Sequence, residues 1–116
     1  MRKLYIVKES KDFKTILDNK RFIISNNFKI YHLPNSLKYS RFGISVSKKL
    51  GNAVFRNKYK RRIRSIIDNS KKLYINNEDY IIILRKGALS KSFKELEEDY
   101  QSIINNIRKE NSNEKK

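Results

Sequence analysis

The sequence predicts a single α+β domain in which helices pack on a small β-sheet. Alternating residues at Arg41–Ser47 and a continuous apolar run at Tyr80–Leu84 predict strands, whereas apolar residues recur at helical spacing after Asn52 and after Ser92. The 116 residues suit one domain with one modest core. We therefore predict an α/β sandwich in residues 1–108 with the order α-β-β-α-β-α, followed by a polar, disordered C-terminal tail at 109–116.

The first predicted element is a short helix that begins at Ser10, because serine is a favoured residue at helix N-termini. Its apolar side consists of Phe13, Ile16 and Leu17. An amphipathic helix of this kind buries one side, so we expect it to pack against the rest of the domain.

The next predicted element, Phe22 to Tyr31, contains β-type residues that are interrupted by Ser25-Asn26-Asn27. This pattern indicates either one bulged strand or two short strands. Side chains alternate along a strand, so Lys29 and Tyr31 share the face that Phe28 and Ile30 do not.

The second strand, Arg41–Ser47, is apolar on one face and small on the other. Phe42, Ile44 and Val46 alternate there with Gly43 and Ser45. Gly51 and Asn52 then interrupt the chain before the central helix.

The helix from Asn52 to Asp68 has an apolar face and a basic face. At about 100° per residue, one stripe contains Phe55, Tyr59, Ile63 and Ile66, with Ile67 at its edge. Asn57, Lys60, Arg61 and Arg64 lie on another face, roughly opposite. One side can dock on a core while the other presents hydrogen-bond donors to a polyanion.

This basic face has two interpretations, a solvated helix surface or a nucleic-acid interface. No Asp or Glu occurs between Lys48 and Ile67, so the acidic partners of a solvated helix are missing. The chain has 28 Lys and Arg against 12 Asp and Glu, a formal charge of +16. Repulsion among these charges is relieved by an anionic partner, which favours the nucleic-acid interpretation.

After the central helix, Asp79 to Arg85 reads as a strand that is buried on both faces. Ser92 and Glu95 have the spacing of a capping box. They begin a final amphipathic helix whose apolar stripe is Phe93, Leu96, Tyr100, Ile103 and Ile107. The acids near its start suit the positive end of the helix dipole.

The residue inventory argues against a catalytic site in the chain itself. There is no cysteine, and the one histidine, His32, precedes a turn signal at Leu33-Pro34-Asn35, where we expect it at the surface. No carboxylates occur at metal-binding spacing. The N-terminus lacks a secretory signal and no apolar run could span a membrane, so we expect a cytoplasmic protein.

The segment SVSKKLGNAVFRNKYKRRIR resembles the signature of the bacterial ribonuclease P protein family. The Arg-Asn-Arg type of motif reads Arg56-Asn57-Lys58 here, and the resemblance in element order covers nearly the whole chain. Two further positions differ from the pattern, since members usually have an aromatic residue at Leu17 and often glycine at Lys20. Lys58 keeps the charge of arginine but not its bidentate fork.

The resemblance implies the protein subunit of an endoribonuclease that removes the 5′ leader of precursor tRNA. The RNA subunit of that enzyme, with bound Mg²⁺, performs the hydrolysis, so no catalytic or metal-binding residue is implied in this chain. The implied fold is the ribosomal protein S5 domain 2-like sandwich, with a left-handed βαβ crossover that carries the basic helix.

The resemblance also implies two sets of site residues. The residues expected to bind the catalytic RNA are Lys48, Lys49, Asn52, Arg56, Asn57, Lys58, Lys60, Arg61 and Arg64. The residues expected to bind the leader of the precursor tRNA are Phe13, Leu17, Lys29 and Tyr31.

Several alternatives remain open from the sequence. Asn57 is either an RNA contact or a cap of the local backbone, and Phe13 is either a leader contact or a core residue. A structural ribosomal or general RNA-binding protein would share the size, charge and fold class. A DNA-binding regulator fits less well, because fixed positive charges with a single amide suit phosphates better than base edges. Neither DNA nor a membrane is an expected partner.

Overall fold

The computed structural model describes residues 6–7, 9–74 and 77–114, with side chains as far as residue 110. The sheet contains β1 (Phe22–Ile24), β2 (Phe28–Pro34), β3 (Arg41–Ser45) and β4 (Glu78–Leu84). The helices are α1 (Ser10–Asp18), α2 (Ala53–Asn69) and α3 (Phe93–Glu114). Parts of the predicted N-terminal stretch, of the polar loop before β4 and of the tail lie outside the described residues.

The described strands form one sheet in the spatial order β1-β2-β4-β3. β2 pairs antiparallel with both β1 and β4, whereas β3 is parallel to β4. Because α2 connects these parallel strands, it forms the predicted βαβ crossover. The α+β class is confirmed, and the segment Phe22 to Tyr31 is two strands rather than one bulged strand.

The turn between β1 and β2 is held by polar side chains. The backbone N–H groups of Asn27 and Phe28 donate to the hydroxyl of Ser25 at 3.2 and 3.1 Å. Asp99 on α3 accepts hydrogen bonds from the Ser25 hydroxyl at 2.7 Å and from the Asn27 amide at 3.0 Å. Asp99 therefore fixes the hairpin against α3, a role that the helix-start interpretation of the acids did not include.

The two faces of the sheet differ in how they are covered. On the first, which we call the closed face, Phe28, Ile30, Ile82 and Leu84 pack against α2 and α3 and are at most 3% exposed. On the second, the open face, Ile81 is buried with Val7 and Ile16, while Tyr31 and Ile83 remain partly exposed beside α1. One helix is too narrow to cover this face completely.

His32 is buried, so its predicted surface position is wrong. β2 continues through Pro34, and His32 lies opposite Tyr80 on the closed face, where it is 1% exposed. Its Nδ1 is 3.0 Å from the Glu78 carboxylate, which is equally buried. The turn follows two residues later than the sequence signal suggested, which moves the histidine from the surface into the core.

The last helix begins as predicted and continues further. Ser92 and Glu95 form the capping box, with reciprocal hydrogen bonds of 3.2 and 3.1 Å. The bond from the Ser92 backbone lowers the pKa of Glu95. α3 extends to Glu114, past the predicted start of the tail at 109, because none of the intervening residues is a glycine or proline.

Candidate nucleic-acid interface

The apolar side of α2 fixes the direction of its basic side. Tyr59, Ile63, Ile66 and Ile67 are buried in the closed-face core, as the helical spacing predicts. The N-terminus is capped by Asn52, whose side-chain oxygen accepts a hydrogen bond from the Phe55 N–H at 2.9 Å. A helix held at one end and along one side keeps its opposite side in a fixed orientation.

We call the opposite side of α2 the basic face. Its exposed members are Asn57, Lys58, Arg61 and Arg64, and its partly buried members are Arg56 and Lys60. In the described part of the chain, none of the five cations in this set is paired with a carboxylate. Their charge is therefore not compensated by any described carboxylate, which is the electrostatic condition for binding a polyanion.

The structure distinguishes Asn57, whose role the sequence left open, from Asn52. The backbone cap is Asn52, so the capping interpretation applies there. Asn57 lies in the second turn of α2 and is exposed among the basic side chains. Asn52 has a structural task in addition to any contact with a ligand.

Lys48 and Lys49 precede α2 on a short 3₁₀ turn, and both are exposed. The Ser47 hydroxyl accepts a hydrogen bond from the Lys49 N–H at 3.2 Å and caps this turn. At Gly51 a Cβ atom would collide with the Phe55 ring, so only glycine lets the turn pack this closely on α2. The two lysines therefore extend the basic face beyond the first turn of the helix.

The open face brings together the residues that the resemblance assigns to the leader. Phe13 and Leu17 of α1 pack with Tyr31 of β2 around the buried Ile16. Lys29 lies two residues before Tyr31 on the same side of the strand. Phe13 is partly buried over Gly43, where a Cβ would lie 2.5 Å from the ring. Phe13 thus has a packing role, and part of it stays exposed.

Phe22 also belongs to this surface, at a position that the sequence did not predict. It is 42% exposed, and its ring centroid lies 5.2 Å from that of Tyr31, its cross-strand neighbour. The Lys29 ammonium lies over both rings, 4.4 Å from Phe22 and 5.0 Å from Tyr31. In the sequence, Phe22 and Ile24 are two positions apart and therefore share one face of β1. Which face of the sheet this is follows only from the pairing register of the hairpin.

A partly buried ionic contact also links α1 to the sheet below the open face. Arg41 donates two hydrogen bonds to Asp79, at 2.9 and 2.6 Å, and reaches Asp12 of α1 at 3.5 Å. The hydrogen bonds to Asp79 raise the pKa of Arg41. The Arg41 guanidinium is therefore engaged within the fold, where it links α1 to β3 and β4.

The open face and the basic face adjoin at the β3 edge of the sheet. A cavity of about 140 Å³ lies between them, with Phe13 and Gly43 on one side and Lys60 and Arg64 on the other. The Val7 N–H donates to the Phe42 carbonyl at 3.0 Å and covers part of that edge. A strand of nucleic acid could pass from one surface to the other without leaving the protein.

Among the described residues, no three or more His, Asp or Glu side chains are grouped so that they could hold a metal ion. No described helix is long and apolar enough to cross a membrane.

Comparisons with known proteins agree with one another. Residues 1–108 match the family model described as Ribonuclease P. The ribonuclease P protein component of Streptococcus pneumoniae is 41% identical over 104 residues, which cover 90% of this chain and 85% of the relative. The structure of the Staphylococcus aureus RNase P protein is similar, with a TM-score of 0.78 and 35% identity over 86% of this chain and 92% of that one. The RNase P protein of Thermotoga maritima gives a TM-score of 0.80 at 27% identity, over 86% and 94% of the two chains.

Proposed function

The chain belongs to the ribonuclease P protein family, and we propose that it binds the catalytic RNA of that ribonucleoprotein together with the 5′ leader of precursor tRNA. The observation that carries the proposal is the uncompensated basic face of α2, which adjoins an aromatic, partly exposed sheet surface. The first surface suits a folded, densely charged RNA. The second suits a single strand.

The basic face binds the RNA subunit in this proposal. Arg56, Arg61 and Arg64, together with the lysines around them, neutralise phosphates and release counterions, so affinity should fall steeply with salt. Asn57 adds an exposed amide that can recognise a base edge or a loop. The buried stripe of α2 holds these groups in place before the RNA arrives, which lowers the entropic cost of binding.

The open face binds the leader. Aromatic rings stack on bases without sequence preference and contribute roughly 1–3 kcal/mol per base, while lysines follow the phosphates. Phe13 and Tyr31 offer partly exposed rings, and Lys29 offers the charge. Leu17 contributes apolar contact without a ring. A surface of this kind accepts leaders of different sequence, as an enzyme that acts on many precursor tRNAs requires.

The hydrolysis itself is assigned to the RNA subunit, and Mg²⁺ supplies the metal-ion chemistry when it is bound there. The protein places positive charge between two RNA molecules that repel each other. It should therefore lower the Mg²⁺ concentration that the ribonucleoprotein needs for cleavage. The proposed location of this reaction is the cytoplasm.

The test is cleavage of a precursor tRNA by a bacterial ribonuclease P RNA at low Mg²⁺, with and without this protein. The test variant, Asn57→Ala/Arg61→Ala, removes one amide and one cation from the basic face. The matched control, Asn106→Ala/Arg108→Ala, removes the same groups from exposed positions on α3. We expect strong stimulation of cleavage by the wild type and the control, and little by the test variant. In RNA binding by the test variant, the slope of log affinity against log salt concentration should be smaller by about one for the lost cation.

Failure would identify the competing function. Tight RNA binding with no stimulation of cleavage, and no change in the Mg²⁺ midpoint, would favour a structural ribosomal or general RNA-binding protein. Equal losses in the test and control variants would place the RNA contact outside α2.

A further inference from the structure

We propose that Phe22 is a further leader-binding residue, on which a base stacks while Lys29 pairs with a neighbouring phosphate. The inference rests on the proposed function of the open face and extends it to the β1 edge of the sheet. It identifies the ligand as an unpaired nucleotide of the leader that lies beyond those held by Phe13.

The geometry at this edge is already that of a nucleotide site. Phe22 and Tyr31 are paired across the strands, with ring centroids 5.2 Å apart and planes tilted by 47°. The Lys29 ammonium lies within 5.0 Å of both centroids. The two rings hold the cation through cation–π contacts and leave it close to any phosphate whose base reaches Phe22.

The fold does not need Phe22 to keep β1 in place. Ile23, on the closed side of the same strand, packs against the main core. The turn after β1 is anchored through Ser25 and Asn27 to Asp99. Phe22 and Ile24 instead project to the open face, 42% and 50% exposed. These two exposed side chains therefore form a small apolar surface beside Lys29 that no described part of the fold covers.

The positive charge of this patch favours a nucleic acid over a protein as its partner. Lys29 is in no ion pair in the described part of the chain, and its ammonium lies over two aromatic rings. Two adjoining aromatic rings with one cation over them match a base and its phosphate. The patch also continues into the surface that contains Tyr31 and Leu17.

The sheet order predicts where along the leader the contact occurs. β1 and β3 are at opposite edges, separated by β2 and β4. Three strand spacings of about 4.8 Å place them about 14 Å apart. A nucleotide on Phe22 is therefore separated along the leader from one near Phe13 and Gly43. A leader too short to cross the sheet cannot reach Phe22.

The experiment measures the affinity of the reconstituted ribonucleoprotein for two precursor tRNAs. One has a leader of about ten nucleotides, within the site sizes of single-strand-binding folds, and the other a leader too short to cross the sheet. Phe22→Leu keeps an apolar side chain without the ring, and Phe22→Trp keeps a ring. Phe93→Leu is the matched control, because Phe93 is 38% exposed on α3, which packs on the other side of the sheet.

We expect Phe22→Leu to weaken binding of the long-leader substrate about tenfold and to leave the short-leader substrate unchanged. Phe22→Trp and Phe93→Leu should match the wild type. An abasic site moved along the long leader should make wild type and Phe22→Leu equal at one position, which identifies the stacked nucleotide.

Two results would overturn the inference and are distinguishable from failure of the proposed function. If the wild type prefers the long leader and Phe22→Leu keeps that preference, Phe22 is not a contact while the open face still binds the leader. If Phe22→Leu weakens both substrates equally, its role is structural. If the wild type shows no leader preference, the proposed function of the open face fails together with the inference.

Discussion

The two faces of the sheet are built from alternate residues of the same strands, yet they have different roles. On β2, Ile30 and His32 point to the closed face and are excluded from water, whereas Lys29 and Tyr31 point to the open face and are partly exposed. A change of one position along the chain therefore moves a side chain from the core to the proposed RNA surface. Stability and recognition are separated by strand periodicity.

The largest loss of stability is expected on the closed face, where the buried His32 contacts Glu78. His32→Leu removes the imidazole that lies 3.0 Å from the buried Glu78 carboxylate, whose hydrogen bond from the Tyr80 hydroxyl is longer, at 3.4 Å, and we expect a cost of about 3 kcal/mol in the free energy of unfolding. The double variant His32→Leu/Glu78→Leu also removes the buried carboxylate and should be more stable than the single one. Urea unfolding measures both. A double variant that is less stable than His32→Leu would contradict this account of the pair.

Neighbouring residues on the two faces should respond in opposite ways. Ile30→Ala creates a cavity in the closed face and should cost about 3 kcal/mol of unfolding free energy. Lys29→Ala should change stability by less than about 0.5 kcal/mol, while weakening the affinity of the ribonucleoprotein for a long-leader precursor tRNA severalfold. Urea unfolding and substrate binding are measured on both variants. Similar effects of the two substitutions in both assays would remove the distinction between the faces.

The tyrosines of the closed-face core predict a loss of stability at alkaline pH. Burial raises the pKa of Tyr74, Tyr80 and Tyr100 above the ordinary value of 10.0. The unfolded chain therefore loses these protons first, so their contribution is complete below pH 10 and falls as the pH rises further. The expected slope is about 1.4 kcal/mol per pH unit for each tyrosine. Unfolding followed by far-UV circular dichroism between pH 8 and 12 measures it, and constant stability above pH 10 would contradict the burial.

The smallest effect concerns the end of α1, the helix that covers part of the open face. Lys20 follows this helix with a φ of 59°, the left-handed conformation that favours glycine. Lys20→Gly should raise the unfolding free energy by about 0.5–1 kcal/mol. Lys14→Gly, at an exposed position inside α1, should instead lower it by about 1 kcal/mol. A loss of stability in Lys20→Gly would show that the lysine side chain outweighs the backbone strain.

The sequence predicted the closed face better than the open one, and the reason is periodicity. The buried stripe of α2 and the apolar run of β4 follow from spacing alone, because each packs against a continuous core. Phe22 required the hairpin register, which depends on the turn at residues 25–27. His32 required the end of β2, which lies beyond the turn signal that the sequence contained. Both positions are determined by strand pairing between residues that are distant in the sequence, and such pairing leaves no local sequence pattern.

The most direct test of the account is the leader-length dependence of substrate affinity, measured for the catalytic RNA alone and for the RNA with this protein. Precursor tRNAs that differ only in leader length are bound under identical salt and Mg²⁺ conditions. If the open face holds the leader, longer leaders tighten binding about tenfold or more in the presence of the protein and have little effect on the RNA alone. Equal dependence on leader length with and without the protein would contradict the account.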